Sequence, residues 1–287
     1  MSEVDLHTHS TASDGSLHPD ELVRAGKEAG LLALALTDHD TVSGLSLAVH
    51  TGKEIGLEII PGCELSVQAP RGFMHILGLW VAPSPSSLQA ALDWMQDMRR
   101  QRNERMLAAL RSLGIAIEDR EVKDEAQGES VGRPHMAQVL VRKGVVSNLE
   151  EAFDRFIGGN GLAYVPKTKL TAEQAISALK QDQATVVLAH PYSLYLTKKE
   201  FAFELSRLQN LGLDGLEVYY PEHNQKQTAF FAAQAHRLGL LLSGGSDFHG
   251  RIKPDIDLGV GRGDLHLPYS LVDKMQAARR MQGLPVY

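Results

Sequence analysis

The chain has 287 residues, a formal charge of −6 at pH 7 and 43% hydrophobic side chains. That length suits one barrel-sized domain with an insertion or two modest domains, and the composition excludes a low-complexity chain. The acidic balance argues against an extended nucleic-acid-binding surface, the single cysteine (Cys63) excludes an internal disulfide, and no apolar run is long enough for a membrane span.

Seven short apolar runs read as buried parallel strands, at about 3–8, 32–37, 57–66, 74–81, 185–190, 215–220 and 240–245. Helical spacing follows many of them. Ser16 is the expected cap of a helix over 18–29, Asp40 precedes one over 41–55, and two more are expected over 171–180 and 225–238. Alternating strands and helices imply a parallel sheet. The fold expected is a distorted seven-stranded TIM-like (β/α)7 barrel with its chemistry at the C-terminal strand ends. An open doubly wound sheet has the same periodicity.

The stretch 84–168 breaks this rhythm. After the turn-rich PSPSS comes an amphipathic helix over 87–113, then a charged surface loop over 119–130. Helices follow from Pro134 to Val141 and over 149–156, the last ended by GGNG. The expected division is a metal-binding barrel of 1–83 and 169–287, with 84–168 as a helical insertion capping the active-site face. The Met/Leu stripe of 87–113 reads as helix packing, and RRQR at 99–102 as a solvated face. No leader pattern opens the chain. With the low cysteine use, this gives an expectation of a reducing, cytoplasmic setting.

Nine metal-ligand candidates sit at or beside strand termini: His7 and His9 in VDLHTHS, Asp14 beyond them, His39 in TDHD, Glu64 in PGCELS, His75 in MHILG, His190 in AHP, and Asp247 with His249 in GSDFH. Alone, an HxH pair is common by chance. Recurrence of imidazoles and carboxylates at successive strand ends is not, and nine candidates exceed what one ion can use. Clustered divalent ions suit phosphate-ester hydrolysis. Glu64, the only glutamate of the set, suits a bridge between ions. Asp38 suits a role orienting a histidine, and Cys63 that of a small buried residue. Pro191 should force extended backbone at His190. His75 opens its strand and so lies at the wrong end of a parallel barrel, unless the strand starts earlier or runs against the others.

Four residues are candidates for substrate contact. Arg133 and His135 stand at a helix start in GRPHM, where a guanidinium and free amides can hold phosphate. Lys167 lies in YVPK, and His223 follows the sixth strand. His18, His50, His236 and His266 have no such setting and are expected at the surface.

HTHSTASDGS, TDHDT, PGCELS, the MHILG histidine, AHP and GSDFH, in this order, resemble the PHP (polymerase and histidinol phosphatase) family. The likeness is greatest to the branch of small bacterial enzymes that holds RNase AM-type 5′–3′ exoribonucleases and nucleoside 3′,5′-bisphosphate phosphatases. By motif it covers about 1–82 and 185–250. It implies a distorted seven-stranded barrel with three divalent ions, often Mn2+, with Fe2+ and Zn2+ as alternatives. One ion would lie on His7, His9, Glu64 and Asp247, a second on Glu64, His75 and His190, and a third on Asp14, His39 and His249. A metal-bound hydroxide would attack, assisted by His190 or His249. Arg133, His135 and Lys167 would hold a second, non-scissile phosphate. The expected substrate is a small nucleotide such as adenosine 3′,5′-bisphosphate, converted to AMP and phosphate, or the 5′ end of a short RNA. The alternatives are a histidinol-phosphate phosphatase and, from another class, a non-catalytic PHP module.

Overall fold

The computed structural model describes residues 2–126 and 131–286. The chain forms two compact units: Met1–Leu92 with Leu170–Tyr287, and Asp93–Lys169.

The first unit is built on seven strands, β1 (Val4–Thr8), β2 (Ala33–Leu36), β3 (Glu58–Val67), β4 (Met74–Leu79), β5 (Thr185–Leu188), β6 (Gly215–Tyr219) and β7 (Leu241–Gly244). They pair in sequence order, and a parallel Thr8–Phe248 bridge carries β1 to the chain beyond β7, so the sheet is a nearly closed barrel rather than an open one. Helices α1 (Pro19–Glu28), α2 (Leu45–Ile55), α7 (Ala172–Gln181), α8 (Lys198–Leu211) and α9 (Gln225–Leu238) form the connections, and α10 (Ser270–Met281) follows β7. The apolar strand runs meet in one core with Leu271, Val272 and Met275 of α10, a helix the periodicity reading did not pick out, as it also passed over α8.

The β/α alternation fails once. β3 turns directly into β4, and β4 is antiparallel to both β3 and β5. The start of β4 therefore lies beside the C-terminal ends of the parallel strands. Ser66 pairs with His75 in this register, which resolves the apparent misplacement of His75.

Two helix starts differ from expectation. The α1 N-cap is His18, whose N–H donates to Glu21; Ser16 instead accepts from the Arg251 N–H and gives its own N–H to the His249 carbonyl. Asp40 does not cap α2, which begins after Gly44; its carboxylate accepts from the Ser66 N–H at 2.7 Å.

Helix α3 (Ser86–Ser112) belongs to the first unit as far as Leu92 and to the second from Asp93. The second unit also holds α4 (Asp119–Ala126), α5 (Arg133–Arg142) and α6 (Leu149–Ala152), the last running into a π turn over Phe153–Ile157. Met106, Leu107 and Leu110 of α3 pack with Met136, Leu140 and Ile157 in its core. Arg102 of the RRQR run is buried rather than part of a solvated face, its Nε donating to the Val165 carbonyl at 2.7 Å. The charged stretch expected as a loop is helical over Asp119–Ala126, because Val122 and Ala126, four apart, bury one face; Gln127–Ser130 lie outside the described residues.

Asp5 holds the closure of the barrel. Fully buried on β1, it accepts from the Ser246 N–H (2.9 Å), the Ser246 hydroxyl (2.5 Å) and the Gly259 N–H (2.8 Å). Burial pushes its pKa up, against the pull of the Ser246 and Gly259 hydrogen bonds. Asp5→Ala leaves those donors buried without an acceptor and should cost about 2–5 kcal/mol, at ~1–3 kcal/mol per orphaned group. Urea unfolding of the two proteins measures this; a loss under about 0.5 kcal/mol would refute the role given to Asp5.

Candidate metal centre

All nine candidate ligands lie in the first unit, and the barrel brings them together. Glu64 is wholly buried at the centre. Its Oε2 lies 3.2 Å from His7 Nε2, 3.2 Å from His9 Nε2 and 3.0 Å from His39 Nδ1; its Oε1 lies 3.0 Å from His75 Nδ1 and 3.1 Å from His190 Nε2. Asp247 Oδ1 is 3.2 Å from His9 Nε2 and 3.6 Å from His7 Nε2. Asp14, on the loop after β1, reaches His249 Nε2 at 3.3 Å, His9 Nδ1 at 3.7 Å and His39 Nε2 at 3.8 Å.

Among the described residues, three overlapping sets of donor atoms have ion-binding spacing: His9, Asp14, His39 and His249; His7, His9 and Glu64; and His39, Glu64 and His75. Several of these atoms, His7 Nε2, both nitrogens of His9, His39 Nδ1 and Glu64 Oε2, are buried and have no hydrogen-bond partner. Orphaned polar atoms in a protein interior are costly. Here they face one another, and their chemistry is that of a divalent-ion ligand set, so the residues fit the metals that the motifs suggest.

A surrounding layer sets the tautomers. His7 Nδ1 donates to Glu217 Oε1 at 3.0 Å, which leaves the Nε2 lone pair toward Glu64. His249 Nδ1 donates to the Asp247 carbonyl at 2.8 Å, leaving Nε2 toward Asp14. The Ser193 hydroxyl donates to the Phe73 carbonyl and so accepts from His190 Nδ1 at 3.1 Å, leaving Nε2 toward Glu64. Tyr220 and Lys253 both donate to Asp247 Oδ2, at 2.8 and 2.6 Å, so its Oδ1 is the oxygen facing the histidines.

None of Asp5, Glu217, Tyr220 or Lys253 stood out in the sequence. The signal for Asp5 and Glu217 was a lone carboxylate inside an otherwise apolar strand run, which burial makes expensive unless it is used. Tyr220 and Lys253 carried no such signal. Among the described residues Asp38 makes no hydrogen bond to a histidine. It accepts from the Ser10 N–H and from the Ser10 and Ser13 hydroxyls, and so fixes the loop that carries Asp14.

Two of the candidate ligands have left-handed backbone. His190 has φ 23° and ψ 65°, and Asp247 has φ 54°. Extended backbone before Pro191 is thus not observed at His190. Its N–H donates to Glu217 Oε2 at 2.6 Å, and the Nδ1–Ser193 bond adds a second restraint, so the local preference is overridden.

Burial alone would raise the Glu64 and Asp247 pKa values, but the surrounding histidines hold both well below the carboxylate range. Burial likewise opposes charge on His9, yet the Asp247 and Glu64 carboxylates beside its Nε2 win, and its pKa is raised to about 9. His7 is raised well above its usual value by Glu217, Glu64 and Asp247 against the same burial. Cys63 is buried with its thiol pushed up by burial and nearby carboxylates, which keeps it protonated.

The substrate candidates divide between the units. His223 is buried in the first; its Nδ1 donates to the Val218 carbonyl at 2.9 Å and its Nε2 is buried without a partner. The Tyr220 ring lies 5.3 Å from His223 and 5.5 Å from His190. Arg133, His135 and Lys167 are half-buried in the second unit. His135 Nδ1 accepts from the Gly132 N–H at 3.1 Å, which binds it to the start of α5. His18, His50, His236 and His266 are exposed.

The PHP domain model matches residues 5–207 of this chain. The chain belongs to the PHP family. Among its PHP relatives are a 5′-3′ exoribonuclease of Haemophilus influenzae, 35% identical over 86% of this chain and 90% of that protein, and a 3′,5′-nucleoside bisphosphate phosphatase of Chromobacterium violaceum, 34% identical over 87% and 88%. A provisionally assigned metal-dependent phosphoesterase from Bifidobacterium adolescentis shares the fold with a TM-score of 0.76 and 30% identity, over 96% of each chain. Among the described residues no helix is long and apolar enough to cross a membrane.

Protons and divalent ions compete for the same lone pairs on His7 and His9. A pKa raised on folding gives stability that is full below ~6.5 and is lost as pH rises through about 9 for His9. Divalent-ion uptake should therefore release protons near pH 7 and fewer at pH 9.5. Calorimetric titration of Mn2+ in buffers of different ionisation enthalpy reads the proton count; equal counts at both pH values would contradict this.

Proposed function

We propose that this protein is a metal-dependent phosphoesterase that removes the 3′-phosphate of nucleoside 3′,5′-bisphosphates and, by the same chemistry, releases 5′-mononucleotides from 5′-phosphorylated short RNA. The observation that carries the reading is the buried convergence of five imidazoles on Glu64, with its Oε2 and the facing nitrogens of His7, His9 and His39 left without hydrogen-bond partners. The reading is supported by the 5′-3′ exoribonuclease of Haemophilus and the 3′,5′-nucleoside bisphosphate phosphatase of Chromobacterium among the relatives.

In this reading His7, His9, Glu64 and Asp247 would hold one divalent ion, Glu64, His75 and His190 a second, and Asp14, His39 and His249 a third, Mn2+ by preference. Such ions would supply Lewis-acid charge for a phosphoryl group and ease the ionisation of water near neutral pH. The protein's part is orientation. Glu217 fixes His7, the Asp247 carbonyl fixes His249, and Ser193 fixes His190, each through Nδ1. With those protons committed, His190 and His249 are better suited to hold ions through Nε2 than to protonate the leaving oxygen. Arg133, His135 and Lys167 grip the non-scissile phosphate, and the partnerless Nε2 of His223 offers a polar contact to substrate. Remote phosphate binding then aligns the ester to be cut.

With the terminal 5′-phosphate as the non-scissile group, the phosphate on the 3′ side of the first nucleotide would be the one cut. Cleavage of its bond to the 3′ oxygen frees a nucleoside 5′-monophosphate and leaves a new 5′-phosphate behind. With Mn2+, adenosine 3′,5′-bisphosphate should yield AMP and phosphate, and a 5′-phosphorylated oligoribonucleotide should shorten stepwise from its 5′ end. Faster hydrolysis of histidinol phosphate, or equal degradation of a 5′-hydroxyl oligonucleotide, would contradict the reading.

A further inference from the structure

Two large aromatic side chains of the first unit stand largely in solvent beside the candidate metal centre. Phe73, in the turn between β3 and β4, is 39% exposed, and Tyr195, after β5, is 60% exposed. Their ring centres lie 6.2 Å apart with the planes at 88°. The Phe73 ring also lies 5.9 Å from that of His75 and 6.2 Å from that of His190, two of the candidate ligands. Close backbone packing holds the pair in place. Gly72, at φ 60°, lets the turn lie against the segment after β5: a Cβ there would sit 2.1 Å from the Ser193 carbonyl oxygen and 2.7 Å from Tyr195 Cδ2. Ser193 then holds Phe73 twice. Its carbonyl accepts from the Phe73 N–H at 3.1 Å, and its hydroxyl donates to the Phe73 carbonyl at 2.9 Å. That hydroxyl also accepts from His190 Nδ1, so the ring and the ligand share one anchor. Tyr195 has φ 49° and ψ 35°, a left-handed conformation that favours glycine and is rare for a bulky residue. With its ring mostly in solvent, packing offsets little of that strain. An exposed aromatic at such a position suits a ligand that covers it.

We propose that Phe73 and Tyr195 form a stacking subsite for the base of the second nucleotide of a 5′-phosphorylated RNA. The proposal rests on the reading of this protein as a hydrolase of such RNA and extends it to the strand left behind after cleavage. In that reading the first nucleotide is anchored by a phosphate at each end. The second is joined to the centre only through the scissile phosphate, and its base has no partner. An aromatic pair adjoining His75 and His190 supplies one. Every base has a π face, so stacking is sequence-tolerant, as stepwise degradation of RNA requires. A nucleoside 3′,5′-bisphosphate has no second base. The subsite therefore favours RNA over mononucleotide substrates without a change in the chemistry.

The test compares kcat/KM, with Mn2+, for a 5′-phosphorylated adenosine dinucleotide and for the same dinucleotide with its second residue abasic. Wild-type protein should prefer the intact dinucleotide by about fivefold or more, as one aromatic–base stack allows. Phe73→Ala, and separately Tyr195→Ala, should bring that ratio close to one, and Phe73→Trp should keep it. A loss shared equally by both substrates marks a structural role and overturns the proposal. So does a wild-type ratio near one, which needs no variant to fold, or a Phe73→Ala effect confined to the first base. A second readout needs no turnover. With metals removed by a chelator, 2-aminopurine as the second base should lose emission on binding wild-type protein but not Phe73→Ala; equal changes in the two proteins contradict the stack. Failure of the underlying reading looks different: wild-type protein would not cleave the intact dinucleotide at all.

Discussion

The organising constraint is one carboxylate, Glu64, buried completely and ringed by the imidazoles of His7, His9, His39, His75 and His190 at 3.0–3.2 Å. Water cannot share the work of neutralising it. Only protons or metal cations on those nitrogens can, so the centre is poised for multivalent charge. Much of the rest of the barrel serves to hold the imidazoles at that separation. β3 delivers Glu64 from its C-terminal half, and the reversed β4 returns His75 to the same end. Without that reversal His75 would emerge at the opposite end of the sheet.

Three further buried carboxylates keep the constellation in place, each by a different means. Asp5 ties β1 to the loop that carries Asp247 and His249. Glu217 links His7 to the strained backbone of His190. Asp38 clamps the two serines flanking the approach to Asp14. None of the three is a proposed ligand. Their hydrogen bonds convert a loop-borne set of side chains into a preorganised one, which is what electrostatic catalysis requires.

Much of this was legible in the sequence, because ligand chemistry and strand ends leave local marks. HxH after a strand, PGCELS and GSDFH each announce themselves within ten residues. What stayed hidden depended on partners far apart in the chain. Asp5 meets Ser246 and Gly259 across the barrel seam, and Asp38 meets serines rather than a histidine. The reversal of β4 left only the paradox of His75 at a strand start. Arg102 looked like one member of a solvated run because a run of charges says nothing about which member the helix turns inward. The helices fared similarly: those with clear periodicity were found, while α4 was masked by its charge and α8 and α10 passed unnoticed.

The central claim is that Glu64 bridges ions rather than serving a single one. Elemental analysis of the purified protein after Mn2+ supplementation, beside Glu64→Ala and the isosteric Glu64→Gln, tests it directly. The account predicts more than one divalent ion per wild-type chain and the loss of more than one equivalent in both variants. One ion or fewer in the wild-type chain, or the loss of no more than one equivalent from folded variants, would contradict it.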